Sequence, residues 1–395
     1  MTDWTAGRGG FGPQGQGVRG WVAERESLPR RLDWPLLLAV MCLALIGAVL
    51  VWSATKQAQI DKGLDPNFFL KRHIINLAIG LLLGALTAAI DYRALRAYAP
   101  IVYGASVFGL LLVLTPFGST INGAHSWIVL PAGFQVQPAE FAKVALVVGM
   151  AMLLGEKRDS EDSPRGGDVV LVLMFVAIPI LLIMLQPDLG TVMVIVFIVL
   201  GVLAVSGAPT RWVAGLVVVG ALLAFMGIHF GLLHHYQVAR FTSFVTPDAH
   251  AQSTSYNQHN ATLAIGSGGW TGKGLFQGTQ TTGQFVPEQQ TDFIFSVAGE
   301  ELGLAGAGTI VLLVGIVLWR GLRIAYRAGD LFGRLVATGV VCWFAFQAFE
   351  NIGMTMGIMP VTGLPLPFVS YGGSSMFANM IAIGLLESVH LKREP

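Results

Sequence analysis

Long apolar runs, separated by short polar or basic segments, fill the chain from residue 34 to residue 389. About 20 helical apolar residues cross the hydrocarbon core of a bilayer. On that measure ten spans are predicted: Trp34 to Thr55, Phe68 to Ile90, Tyr98 to Thr115, Pro138 to Leu154, Asp168 to Leu185, Leu189 to Ser206, Arg211 to His229, Phe293 to Leu318, Leu331 to Met359 and Ser370 to Val389. The expected fold is an all-α polytopic membrane protein of ten transmembrane helices, with a large extracytoplasmic loop between helices 7 and 8.

Basic residues orient the spans. With the N-terminus inside, the inner segments hold Arg8, Arg19, Arg25, Arg30, Arg31, Arg93, Arg96, Arg211, Arg320, Arg323, Arg327 and Arg334, among others. The outer loops hold only Lys56, Lys62, Lys71, Arg72, Arg240 and Lys273. The pattern predicts a multi-pass protein of a cell membrane with both termini cytoplasmic. Residues 1–33 are Gly- and Arg-rich without a hydrophobic region, so a disordered cytoplasmic tail is expected there rather than a signal peptide. Residues 34–390 form one membrane domain, and residues 391–395 a short cytoplasmic end.

Composition adds little beyond this. The chain is 54% hydrophobic and 12% charged, which agrees with repeated spans, and its net charge of +1 does not identify a partner. No nucleic-acid partner is expected. Cys42 and Cys342 both lie inside apolar runs, so neither a disulfide framework nor a Cys metal site is supported.

Three outer segments are polar, Gly-rich or Pro-rich: Gly118 to Pro138, Phe230 to Thr291 and Pro360 to Ser375. Irregular backbone at membrane depth persists only when buried in protein or lining a wet cavity. All three fall on one side, which points to a shared extracytoplasmic cavity. At its rim stands Asp292, in FVPEQQTDFIFSVAGEELG. Continued as a helix, Asp292, Ser296, Gly299, Glu300 and Gly303 share one face, and Phe293, Ile294, Val297 and Leu304 the other, which suits lipid or neighbouring helices. A carboxylate there is either chemistry or a helix cap, and spacing divides the two evenly.

Other candidates carry a structural alternative beside the functional one. Glu140 and Lys143 lie one turn apart in QPAEFAK. They are read as a buried pair holding helices together, or as a lysine reaching up to a diphosphate. Gln347, Glu350, Asn351 and Thr355 form a stripe suited to interhelical hydrogen bonds. Asp188 in QPDLGT reads first as a helix cap. The glycine cluster IGSGGWTGKGLFQG lacks the spacing of a nucleotide phosphate loop. It is either a flexible loop that closes and delivers Lys273 or Arg240 to an anionic group, or an ordered lid. His234, His235, His250 and His259 share the long outer segment without a metal-ligand spacing.

Together NGAHSWI, FQVQPAEFAK, QPDLGT, AIGSGGWTGKGLFQGTQ, VPEQQTDFIFSVAGEELG and GMTMGIMPVTGLPLPFVSYGGSS resemble the SEDS family, the integral membrane peptidoglycan polymerases typified by RodA and FtsW. GTQ followed by GQFVPE looks closer to RodA. The resemblance implies ten spans and a glycosyltransferase that polymerises lipid II for cell-wall elongation and cell shape. It also implies a divalent cation (Mg²⁺ or Mn²⁺) with unknown ligands, and a class B penicillin-binding protein, a transpeptidase, as partner. Asp292 falls on the family's essential aspartate, the expected general base, and Trp127 on its functionally sensitive tryptophan. Substrate contacts are expected from Trp127, Glu140, Lys143, Arg240 and Lys273. The sequence departs from the family pattern at Ala139, at Ala132 in the segment Pro131 to Phe134, and at Gln290. Two other classes stand beside the enzyme: a lipid II flippase, which needs a polar path through the whole membrane, and a noncatalytic scaffold, which has no need of Asp292.

Overall fold

The computed structural model describes residues 31–121, 124–129, 134–155, 164–229 and 254–392. Residues 1–30 of the expected tail, residues 131–133, Arg240, His234, His235, His250 and residues 393–395 lie outside them. The helices are α1 (Trp34–Asp61), α2 (Phe68–Ala89), α3 (Tyr92–Val113), α4 (Pro138–Gly155), α5 (Gly166–Met184), α6 (Leu189–Val205) and α7 (Thr210–His229). After the long outer segment come α8 (Thr254–Ser267), α9 (Thr279–Thr282), α10 (Ile294–Glu301), α11 (Gly303–Tyr326), α12 (Leu331–Thr355) and α13 (Gly373–Leu391). Eight of them, α1 to α5 and α11 to α13, are long and apolar enough to cross a bilayer. The apolar helices in α6 and α7 are shorter, and they occupy the sixth and seventh expected spans.

Helix starts follow local chemistry. Asp33 caps α1, its carboxylate accepting the Leu36 N–H at 3.2 Å, and Pro35 sits in the first turn, where a missing donor costs nothing. Asp188 caps α6 through the Thr191 N–H at 3.0 Å, the structural role expected of it. At the arginine-rich end, Arg320 of α11 forks onto Asp33 at 2.9 and 2.5 Å. Tyr92 of α3 donates to Asp330, ahead of α12, at 2.5 Å. The end of α1 is thereby tied to α11, and that of α3 to α12.

Burial sorts the spans into core and lipid-facing sets. Most of α4, α12 and α13 is buried, whereas α2, α3, α5 and α11 are largely exposed, with apolar side chains such as Leu82, Ile101, Met174 and Leu312 outward. α13 packs against α2 at van der Waals distance because both carry glycine at the crossing. A Cβ at Gly384 would stand 2.3 Å from the Gly84 carbonyl oxygen. Close backbone approach through small residues is the usual device where lipid offers no hydrophobic drive for helix association.

One outer segment and one expected span hold more than the sequence pattern announced. Gly118 to Pro138 contains a small antiparallel sheet, β1 (Ser119–Ile121), β2 (Ala124–Val129) and β3 (Gln135–Val136), in the order β1-β2-β3. The eighth span is not one helix from Phe293. It breaks between α10 and α11 at Gly303, whose φ of 65° is the left-handed region that glycine tolerates. The glycine loop fills the break: Leu304 and Ala305 N–H donate to the carbonyls of Gly269 and Trp270 at 2.9 and 3.1 Å. Lys273 and Gly274 N–H donate to those of Glu300 and Glu301 at 3.0 Å each. Every residue of α10 is buried, so the apolar face expected there meets protein, not lipid.

Candidate active site

At the end opposite the arginine cluster, the outer segments and helix ends enclose a cavity of about 650 Å³. Asp292, Trp127 and Glu140 all line it. They come from three distant stretches: the turn before α10, strand β2 and the first turn of α4. The sheet is what brings Trp127 in, since its pairing with Ser119 fixes β2 against β1.

The turn that carries Asp292 is held by its backbone. The N–H groups of Thr291, Asp292 and Phe293 all donate to the Glu288 carbonyl, at 3.1, 3.1 and 3.4 Å. Glu288 itself has a φ of 52°, an uncommon conformation for a non-glycine residue that closes this turn. The three successive carbonyls of Gln290, Thr291 and Asp292 accept from Tyr371 N–H (2.9 Å), Ser370 hydroxyl (2.6 Å) and the Asn351 side-chain amide (2.7 Å). The segment is bonded on both sides of the chain, and Asp292 reaches the cavity from a fixed support.

Among the expected cations, Lys143 and Lys273 do not line the cavity. Lys143 is fully buried beneath it, its ammonium 2.9 Å from Glu140 Oε1, 3.0 Å from Gln347 Oε1 and 4.6 Å from the Trp343 ring centre. The helix-holding reading of the Glu140–Lys143 pair matches this arrangement, because a four-carbon stem whose ammonium is satisfied below has nothing left to reach upward. Lys273 turns to Glu300 Oε1 at 2.9 Å and Thr279 Oγ1 at 2.8 Å. Glu300 also accepts from the N–H groups of Gln280 and Thr281, both at 2.9 Å. The glycine loop is therefore docked into the break between α10 and α11, and none of its residues lines the cavity. Arg240 lies outside the described residues.

The cation that the described cavity does present is Arg72, in the first turns of α2. Its guanidinium lies 4.8 Å from the Phe68 ring centre and 5.9 Å from that of Phe134. Burial pushes the Tyr371 phenol up, and the Arg72 charge opposes the shift. One sequence signal marks this arginine: a Lys71–Arg72 pair opening a span on the side otherwise poor in basic residues. Four carboxylates, Glu140, Asp188, Glu288 and Asp292, face the same cavity. Asp188 Oδ2 accepts from the Gln137 amide and the Thr191 hydroxyl, and its Oδ1 from the Thr191 N–H. Among the described residues, no three His, Cys, Asp or Glu side chains gather to hold a metal ion.

Asn351, Ser370, Arg72 and Tyr371 were not singled out as site residues by the sequence. Asn351 belongs to the polar stripe expected to join helices, and it instead bonds backbone outside its own helix layer. Its amide donates at 2.7 Å to the carbonyls of both Asp292 and Leu364.

Comparison with known proteins agrees with the motifs. The FtsW/RodA/SpoVE family, described as a cell cycle protein family, matches residues 33–394. The stage V sporulation protein E of Bacillus subtilis (strain 168) is 38% identical over 359 residues, 90% of this chain and 96% of the relative. The peptidoglycan glycosyltransferase MrdB of Escherichia coli (strain K12) is 38% identical over 365 residues, 92% of this chain and 94% of the relative. A chain from a peptidoglycan synthase complex, solved for the coordination of polymerization and crosslinking, superposes with a TM-score of 0.76. It is 33% identical and covers 92% of this chain and 98% of that one. The chain belongs to the FtsW/RodA/SpoVE family, the SEDS proteins, and is a multi-pass membrane protein.

Proposed function

We infer that this chain is a peptidoglycan glycosyltransferase that lengthens glycan strands from lipid II, with Asp292 as general base. The observation that carries the reading is one cavity lined by Asp292, Trp127, Glu140 and Arg72, contributed by four separate stretches. The cavity also has an apolar side. Phe69 and Ile79 of α2 line it ten residues apart, roughly 15 Å along a helix. An isoprenoid chain fits that wall while its diphosphate and sugars stay at the polar rim.

In the reaction, the acceptor sugar hydroxyl attacks the anomeric carbon of the donor. Its proton passes to the Asp292 carboxylate as the new C–O bond forms. The bond from the anomeric carbon to the phosphate oxygen breaks, and the lipid diphosphate leaves with the electron pair. A single displacement inverts the anomeric centre. A placed base contributes roughly 10²–10⁴-fold. Arg72, a planar donor fork suited to phosphate oxygens, takes up charge on the leaving diphosphate. A divalent cation, Mg²⁺ or Mn²⁺, carried on the diphosphate would add charge neutralisation there. Of the carboxylates lining the cavity, Glu288 and Glu140 would be the ones to hold such an ion.

The arginine-rich end is assigned to the cytoplasm, with both termini, by the excess of basic residues. A class B penicillin-binding protein is the proposed partner, since the similar chain belongs to a complex that couples polymerization to crosslinking. A role in elongation and cell shape rests on the GTQ and GQFVPE motifs.

Purified protein given fluorescent lipid II tests the reading. Polymer on a gel is expected from the wild type and none from Asp292→Asn. Near-normal polymer from that variant removes Asp292 as base. Transbilayer movement without polymer makes the protein a flippase, and neither activity makes it a scaffold.

A further inference from the structure

Asn351 lies in α12, fully buried, and its one amide nitrogen bridges two backbone carbonyls from separate segments that line the cavity, those of Asp292 and Leu364. One turn earlier on the same helix face, Gln347 donates to the Pro365 carbonyl at 2.8 Å. Two carboxamides on a single helix therefore hold the adjacent carbonyls 364 and 365, and only the upper one extends the hold to Asp292. Two N–H donors on one nitrogen are needed for this; a hydroxyl has one, and an ionised carboxylate of the same shape has none.

We propose that Asn351 is a positioning residue for Asp292, setting the place of its carboxylate relative to the cavity wall at Leu364 and Pro365. The inference rests on the reading of Asp292 as the base, and it concerns a residue that touches no reacting atom. The support is the bonding of the whole turn. Its amides 291 to 293 go inward to the Glu288 carbonyl, so the turn is held to its surroundings by the carbonyls of 290 to 292 and by the Gln289 side-chain amide, which donates to the Ala54 carbonyl of α1 at 2.8 Å. Two of those three acceptors are met by the segment just before α13, through Ser370 and Tyr371. Asn351 alone among them comes from a transmembrane helix, and α12 is fixed at its other end by the Tyr92–Asp330 bond. A displacement of about 1 Å at a catalytic group can lower a rate by 10²-fold. Loss of this bond is therefore expected in kcat before it is seen in substrate binding.

The experiment uses full-length purified protein with Asn351→Asp, which keeps the shape and removes the donors, and Asn351→Leu, which removes all polarity. Hydrogen exchange across residues 288–293 is read beside kcat and KM for lipid II and the melting temperature. In both variants exchange at 288–293 should rise at least about tenfold, with amides of α13 unchanged. The kcat should fall at least about tenfold, with KM within about threefold of wild type. Unchanged exchange at 288–293 in both variants overturns the proposal, and so does raised exchange with wild-type kcat. A kcat loss matched by exchange raised throughout the protein also overturns it, since that is general destabilisation. Wild-type protein that makes no polymer would instead remove the functional reading, while the exchange measurement still judges whether Asn351 holds the turn.

Discussion

The ammonium of Lys273 lies 2.9 Å from the carboxylate of Glu300, and neither residue lines the cavity that holds Asp292. The Glu300 side chain is fully buried and gathers Thr279, Gln280 and Thr281 as well. This pair anchors the glycine loop into the break between α10 and α11. Lys273→Met is therefore expected to lower the melting temperature in detergent while leaving KM for lipid II within about threefold, as suits a residue outside the binding surface. A KM raised tenfold or more at unchanged melting temperature would return Lys273 to the substrate site.

Arg72→Gln is the matching test inside the cavity. Hydrogen bonds to charged groups are worth about 1.5–3 kcal/mol, or roughly 10- to 150-fold. The variant should lose about that much in kcat/KM for lipid II, measured by initial rates, with little thermal change. Unaltered kcat/KM would show that the diphosphate is bound elsewhere.

Beneath the cavity, Lys143→Met leaves Glu140 buried without its cation. Removing one partner of a buried pair costs about 3–5 kcal/mol, so a large fall in melting temperature is expected. Adding Glu140→Gln should recover a good part of it, because a neutral amide no longer needs the charge. Failure of the second change to recover stability would mean that Lys143 acts mainly through Gln347 and Trp343.

Trp127 stands on β2, half-buried at the cavity wall. Trp127→Ala should cut polymerisation more than it lowers the melting temperature, read on the same preparation. A large thermal loss with a proportionate activity loss would make the indole an interfacial anchor instead.

Much of this protein is legible in its residues taken in order. Runs such as Trp34 to Thr55 announce spans because backbone in lipid must satisfy its own hydrogen bonds, and a helix does so from local sequence alone. Asp188 could be read as a cap, and Asp292 as a carboxylate at the membrane rim, since both depend on neighbours a few residues away. The side chosen by Lys143 and Lys273 could not be read. A flexible lysine reaches any partner within several ångströms, and their partners Gln347 and Glu300 are 204 and 27 residues away. The break at Gly303 was equally hidden. Its periodicity continues that of a single helix, and only the docking of Gly269 and Trp270 into the gap makes the interruption stable. Sequence by itself determined the membrane helices, the side on which the polar segments gather and the carboxylate at the rim. Tertiary structure decided which cation shares the cavity with that carboxylate and which helix holds its backbone, because these arrangements join segments whose separation along the chain carries no local signal.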